Sequence, residues 1–136
     1  MVAYSFKSAF VADIERRIKR QTIRLPRPRH ARPEERLQIF QGMRTKCCRK
    51  IIPDPVCIGV DRLVIDTRPG YLAHLEINGV VLELASEEAD AFAVADGFGR
   101  PMPDHRPIDF FGVWWRSVHG PQLHEDLVLI RWEDRT

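Results

Sequence analysis

Arg17, Lys19, Arg20 and Arg24 crowd four cations into eight positions around a single hydroxyl, Thr22. Like charges at that density repel one another unless an anion or a carboxylate meets them, so the stretch points to a surface built for a negatively charged group. The cations continue: Arg27, Arg29 and Arg32 follow, with Arg44 and Lys46 one predicted strand later. A phosphate backbone could be laid along Arg24, Arg27, Arg29, Arg32 and Arg44, with Arg17 and Arg20 adding to the field. A solvated basic loop has the same composition, and so has a cluster neutralised within the fold.

The charge balance sharpens that choice. Residues 1–50 hold 14 Lys and Arg against 4 Asp and Glu, while the remainder carries the opposite excess, so the formal charge of +2 hides a dipolar chain. Cys47, Cys48 and Cys57 lack the paired spacing of a zinc site or a disulfide framework, and no spacing brings them to His30, His105 or His119. Reduced thiols, no metal and no cofactor are expected. No apolar run reaches the roughly 20 residues that span a bilayer, and the first ten residues lack signal-peptide zones, so a cytoplasmic chain is expected. With 44% apolar and 29% charged residues, the 136-residue chain fits one folded domain, residues 1–136.

The elements that must carry these side chains follow from pattern. Val2, Tyr4 and Phe6 alternate as in a half-buried strand. Phe10, Val11, Ile14 and Ile18 form a helical stripe, with Asp13, Glu15 and Arg16 turned away. Residues 20–24 read as a strand with Arg20, Thr22 and Arg24 on one side, Gln21 and Ile23 on the other. Pro26, Pro28 and Pro33 make residues 25–35 an irregular basic loop. Strands are expected at 36–40, with Phe40 the nearest aromatic stacker, and around 56–65. Asn78-Gly79 between alternating runs specifies a type I′ hairpin pairing Ile77 with Val80 and Leu75 with Leu82, with His74 opposite Glu83.

Ser86 caps a second helix ended by Gly97, whose stripe of Ala89, Phe92 and Ala93 continues by one step to Asp96. Phe98 is expected to fold back on Phe92. A third helix from Pro107 to Gly120 buries Phe111, Trp114, Trp115 and Val118 as core. Residues 127–132 form a strand buried on both sides. Six or more short strands with two or three helices, without βαβ alternation, make an α+β domain on a closed or nearly closed barrel.

In that order of elements, Arg17-Ile18-Lys19-Arg20-Gln21-Thr22-Ile23-Arg24 resembles the Gly-x-Lys-x-x-x-x-Arg signature of the ASCH domain family, with Arg17 in the glycine position. Arg32-Pro33-Glu34-Glu35 is similar to the family's Pro-Gly-Asp or Pro-Gly-Glu turn, with Glu34 in the glycine position, and the helix ending in Ala95-Asp96-Gly97-Phe98 resembles bacterial and phage members. The resemblance implies a PUA-like β-barrel with two or three flanking helices and RNA or a modified nucleoside in the cleft beside the signature. One branch of the family hydrolyses 4-acetylcytidine with Lys, Thr and Glu. Here Lys19 and Thr22 match, and Asp96 stands at the glutamate's place.

That chemistry would suit the cations. A threonine hydroxyl attacks a carbonyl only if a base takes its proton, and lysine is such a base only when burial or neighbouring cations lower its pKa. Arg17, Arg20 and Arg24 would press on Lys19, Arg24 would steady an oxyanion, and Asp96 would protonate the leaving amine. Binding of RNA or a modified nucleoside through the basic cleft is the first expectation and 4-acetylcytidine hydrolysis the alternative. A module whose basic face meets an acidic protein is a third.

Overall fold

Among residues 1–99 and 103–135, which the computed structural model describes, three helices and eight strands in two sheets make an α+β fold. In the smaller sheet, strand β1 (Val2–Phe6) pairs in parallel with β3 (Leu37–Gln41), whose far edge takes the short antiparallel β4 (Arg49–Lys50). The alternation of β1 holds: Val2, Tyr4 and Phe6 are buried on one face, against Ile14, Leu37, Ile39, Ile130 and Trp132.

The larger sheet is centred on β8 (Leu123–Glu133), which lies between β2 (Gln21–Arg24) and β5 (Val56–Asp66). Paired on both edges, β8 buries Leu127, Leu129, Ile130 and Trp132, as its apolar run demands. The hairpin β6 (His74–Ile77) and β7 (Val80–Val81) continues beyond β5. Asn78 (φ 52°) and Gly79 (φ 80°) supply the two left-handed residues of a type I′ turn, and Ile77 pairs with Val80. Val80 and Val81 are exposed at the tip, so the apolar face of the hairpin is confined to its base. His74 bonds Glu76 at 2.7 Å on its own strand rather than Glu83.

Helix α1 (Ser8–Glu15) is one turn shorter than the stripe implies. Arg17 takes the left-handed conformation, φ 61°, and the amides of Ile18 and Lys19 both donate to the Asp13 carbonyl at 2.9 and 3.0 Å. Ile18 is therefore thrown past the helix end and half exposed, while Asp13, expected outward, is buried. A non-glycine residue in this conformation costs about 1 kcal/mol, which this tight stop imposes at Arg17.

Helix α2 (Glu87–Ala95) starts as read: Ser86 Oγ accepts the Ala89 amide at 3.2 Å. It ends at Gly97, φ 107°, with the Phe98 amide on the Ala93 carbonyl at 2.9 Å. The Phe98 ring turns to Phe10, Phe111 and Trp114 instead of Phe92. Helix α3 (Pro107–His119) buries Phe111 and Trp115 but leaves Val118 exposed and Trp114 half-buried, because its outer face borders a hollow rather than more core. Helices α2 and α3 pack on β5, β6 and β8 to form the second core.

The expected barrel is represented by two separate sheets that meet at their margins. One link is the isolated bridge Arg36–Val56, flanked by the Leu37 amide on the Pro55 carbonyl at 2.9 Å. At the other margin the Arg24 guanidinium of β2 donates to the Ser5 carbonyl of β1 at 2.8 Å. No helix among the described residues is long and apolar enough to cross a membrane.

Candidate functional site

Where the two cores adjoin, β1, β2 and the ends of α1, α2 and α3 enclose a cavity of about 160 Å³. Lys19, Thr22, Arg24 and Asp96 line it together with the rings of Phe6, Phe10, Trp114 and Trp115.

The turn after α1 delivers the lysine. With Ile18 and Lys19 both tied back to Asp13, the chain reverses, and the Arg20 amide then bonds the Ala95 carbonyl at 2.8 Å. Lys19 thereby points inward beneath the end of α2 and is only 3% exposed. Its Nζ donates to the Asp96 backbone carbonyl at 2.5 Å and lies 3.8 Å from Asp96 Oδ1, so its short contact is to the peptide and its longer one to the carboxylate. Phe10 and Phe6 offer ring faces at 4.8 and 5.6 Å from the amine. A Cβ at Gly97 would come within 2.9 Å of Phe10 and 3.1 Å of the lysine stem, so glycine lets α2 close over the amine.

Burial draws the Lys19 pKa down, Asp96 opposes the shift, and Arg24 adds to it. Burial likewise pushes the Asp96 carboxyl from 3.8 up to about 6 against the pull of Lys19. The Asp96 side chain accepts from Gln21 Nε2 at 3.4 Å, and the same amide reaches the Phe92 carbonyl at 3.3 Å. An amine and a carboxyl both held away from water, with their pKa values drawn toward neutrality beside a cavity, are the arrangement proton-transfer chemistry needs.

Thr22 is 5% exposed, and its Oγ1 accepts from Arg24 Nε at 3.0 Å, leaving its own proton free to be given up. Arg24 is further held by Ser5 and lies over the rings of Phe6 and Tyr4 at 4.9 and 5.3 Å. Burial lowers its pKa too, yet a guanidinium stays charged.

The remaining arginines divide sharply from these. Arg17 is exposed, paired with Asp134 at 2.7 Å, and Arg20 is exposed on the opposite side of β2 from Thr22, beside Arg131 and Glu133. Neither presses on Lys19. The helix stop turns Arg17 outward, and Arg20 precedes the strand whose alternation was to have placed it beside Thr22. Arg29 pairs with Glu35, Arg32 is exposed in the loop, and Arg44 is exposed in a turn at φ 65°. These three do not reach the cavity. Arg27 does not line it either but lies over the Tyr4 ring at 4.7 Å and lines a neighbouring hollow with Arg24. Phe40 stands apart under Lys50.

Sequence reasoning missed Gln21, which was assigned to the side away from the cleft, and the cavity walls given by Trp114, Phe6 and Phe10. Alternation in β2 was the only available signal for Gln21, and it places the side chain under α2 once that helix is known to pack there. Cys47 and Cys48 are exposed, Cys57 is buried with its thiol pKa raised by burial, and no group of three or more His, Cys, Asp or Glu side chains able to hold a metal converges among the described residues.

Compared with protein-family models, with curated proteins and with solved structures, the chain matches none.

Proposed function

We propose that the cavity receives the acylated amino group of a modified pyrimidine nucleoside and hydrolyses the amide, with 4-acetylcytidine as the reference substrate. The observation that carries this reading is the convergence of Lys19, Thr22, Asp96 and Arg24 on one hollow. Buried ionisable groups of this kind are expensive to a fold, and groups so perturbed cluster at functional sites.

In the proposed reaction, Lys19 in its amine form takes the Thr22 proton as Oγ1 bonds to the acyl carbon. The carbonyl oxygen becomes an oxyanion beside the Arg24 guanidinium. Protonated Asp96 gives its proton to the nitrogen as the C–N bond breaks, releasing the free amine and leaving an ester on Thr22. Water then attacks that ester with a basic group of the pair accepting its proton, the Thr22 oxygen is reprotonated, and the carboxylic acid leaves. The net change is amide plus water to amine plus acid.

Two backbone features support the finer reading of the chain as an ASCH-type, PUA-like domain. Arg17 and Glu34, which occupy the two positions where the family carries glycine, both have left-handed φ values, 61° and 71°. The sheets also meet at both margins, in keeping with a barrel that is nearly closed.

The test is incubation with 4-acetylcytidine followed by its ultraviolet change. Turnover in the wild type that disappears in Thr22→Ala and Lys19→Ala is the expected result; an inert wild type removes the reading. Extended RNA binding along the basic loop is the second reading, favoured by Arg24 and Arg27, which make no direct ion pair among the described residues. A track through all five predicted arginines gives a log–log salt slope of about −3.5 for single strands, and contacts through Arg24 and Arg27 alone give about −1.4.

A further inference from the structure

Off the Lys19 cavity opens a wider hollow of about 390 Å³, which shares Ile23, Arg24 and Trp115 with it and adds Arg27, His30 and His119. No carboxylate among the described residues lines this hollow. Several other arginines are met by acids, Arg17 by Asp134, Arg62 by Asp126 and Arg131 by Asp61, while Arg32 and Arg44 stand in open solvent rather than around a hollow.

Arg24 and Arg27 are held differently. Arg24 is clamped on the Ser5 carbonyl and lies over Phe6, while Arg27 donates Nε to the Arg29 carbonyl at 2.8 Å and lies over Tyr4. Each is thus fixed by neutral groups and directly ion-paired to no carboxylate among the described residues, Asp96 acting on Arg24 only from across the adjoining cavity, and each has donors to spare. His30 has both ring nitrogens engaged, by the Tyr4 hydroxyl at 3.0 Å and the Leu25 carbonyl at 2.9 Å, and so braces the loop that carries Arg27. His119 lies tilted against Trp115 with ring centroids 4.0 Å apart, and neither of its ring nitrogens has a hydrogen-bond partner among the described residues. Rigid cationic donors around a hollow free of acids suit an anion with several acceptor oxygens, because the ordering is done before the ligand arrives.

We propose that this hollow seats the phosphate ester of a nucleotide whose base enters the Lys19 cavity, with Arg24, Arg27 and His119 as the phosphate-facing groups. The base placement rests on the function proposed above; the phosphate seat rests on the hollow alone. A free mononucleotide and a nucleotide within an RNA strand both present this ester.

The test is calorimetric titration of the whole chain with cytidine, cytidine 5′-monophosphate, inorganic pyrophosphate and a trinucleotide with a central cytidine. The monophosphate is expected to bind at least about tenfold tighter than cytidine, and pyrophosphate to compete with it. In Arg27→Ala and in His119→Ala that advantage falls to about threefold or less, with Arg27→Lys keeping part of it and circular dichroism reporting the fold. Equal affinity for cytidine and its monophosphate, without pyrophosphate competition, overturns the seat and leaves the base cavity standing. An advantage that survives both alanine variants overturns it as well. Pyrophosphate binding that Arg27→Ala abolishes, with cytidine inert, keeps the seat and removes the base placement; no binding of any probe removes both. Trinucleotide binding equal to the monophosphate assigns the ester to RNA, and its failure assigns it to a free nucleotide.

Discussion

The cations of the first fifty residues fall into two populations that their composition makes identical. Lys19 and Arg24 are withdrawn from water, held by carbonyls and aromatic faces, and have pKa values moved by burial. Arg17, Arg29, Arg32 and Arg44 stand in solvent, the first two already neutralised by Asp134 and Glu35. Only the first population lines the cavity. What distinguishes the two is the apolar surface that packs around them.

The sharpest way to break this contrast is to exchange residues across it. Lys19→Met should lower turnover of 4-acetylcytidine by about a thousandfold, as loss of a proton-transfer group does, while Arg29→Ala, Arg32→Ala and Arg44→Ala each stay within about twofold. A comparable loss in any of the exposed variants, measured as kcat/KM, would erase the distinction.

A second effect is read in stability. Asp96 titrates at about 6 in the fold against 3.8 when unperturbed, so between those values the folded chain binds more protons than the unfolded one. The group's contribution is therefore fully favourable below its unfolded value and is lost as the pH rises through 6, a span of about 3 kcal/mol. Denaturant midpoints compared at acid and neutral pH should show this slope in the wild type and lack it in Asp96→Asn.

Smaller still is the gain from removing the pair altogether. Lys19→Met combined with Asp96→Asn should stabilise the chain by about 2 kcal/mol in urea while abolishing activity, since two desolvated ionisable groups vanish and Gln21 keeps its acceptor. A destabilised double variant would mean that the pair serves the fold. Smallest is Arg17→Gly, which relieves the left-handed strain at the end of α1 for about 1 kcal/mol, less the exposed ion pair to Asp134, without changing turnover.

Local chemistry made much of the architecture legible. The alternation of β1, the Asn78-Gly79 turn, the Ser86 cap and the Pro107 start each involve residues a few positions apart, whose preferences outlast the rest of the fold. Asp96 was visible because it sat where an apolar stripe should have continued. The failures share a different cause. Ile18 was lost to the stripe because Arg17, which no propensity marks as a helix stop, takes the conformation of a glycine. Arg20 left the Thr22 side because β2 begins only at Gln21, and Gln21 gained its role because α2 packs over it and offers its amide the Phe92 carbonyl and Asp96. Trp114 looked like core because nothing in its own helix reveals that β1 and α1 leave space opposite.

The cavity also lies on the seam between the sheets, with Ser5 and Phe6 contributed from one side and Thr22, Ile23 and Arg24 from the other. An occupant would act as a rivet through both layers. Saturation should thus slow amide hydrogen exchange in β1 and β8 alike, and raise a single melting transition rather than splitting it in two.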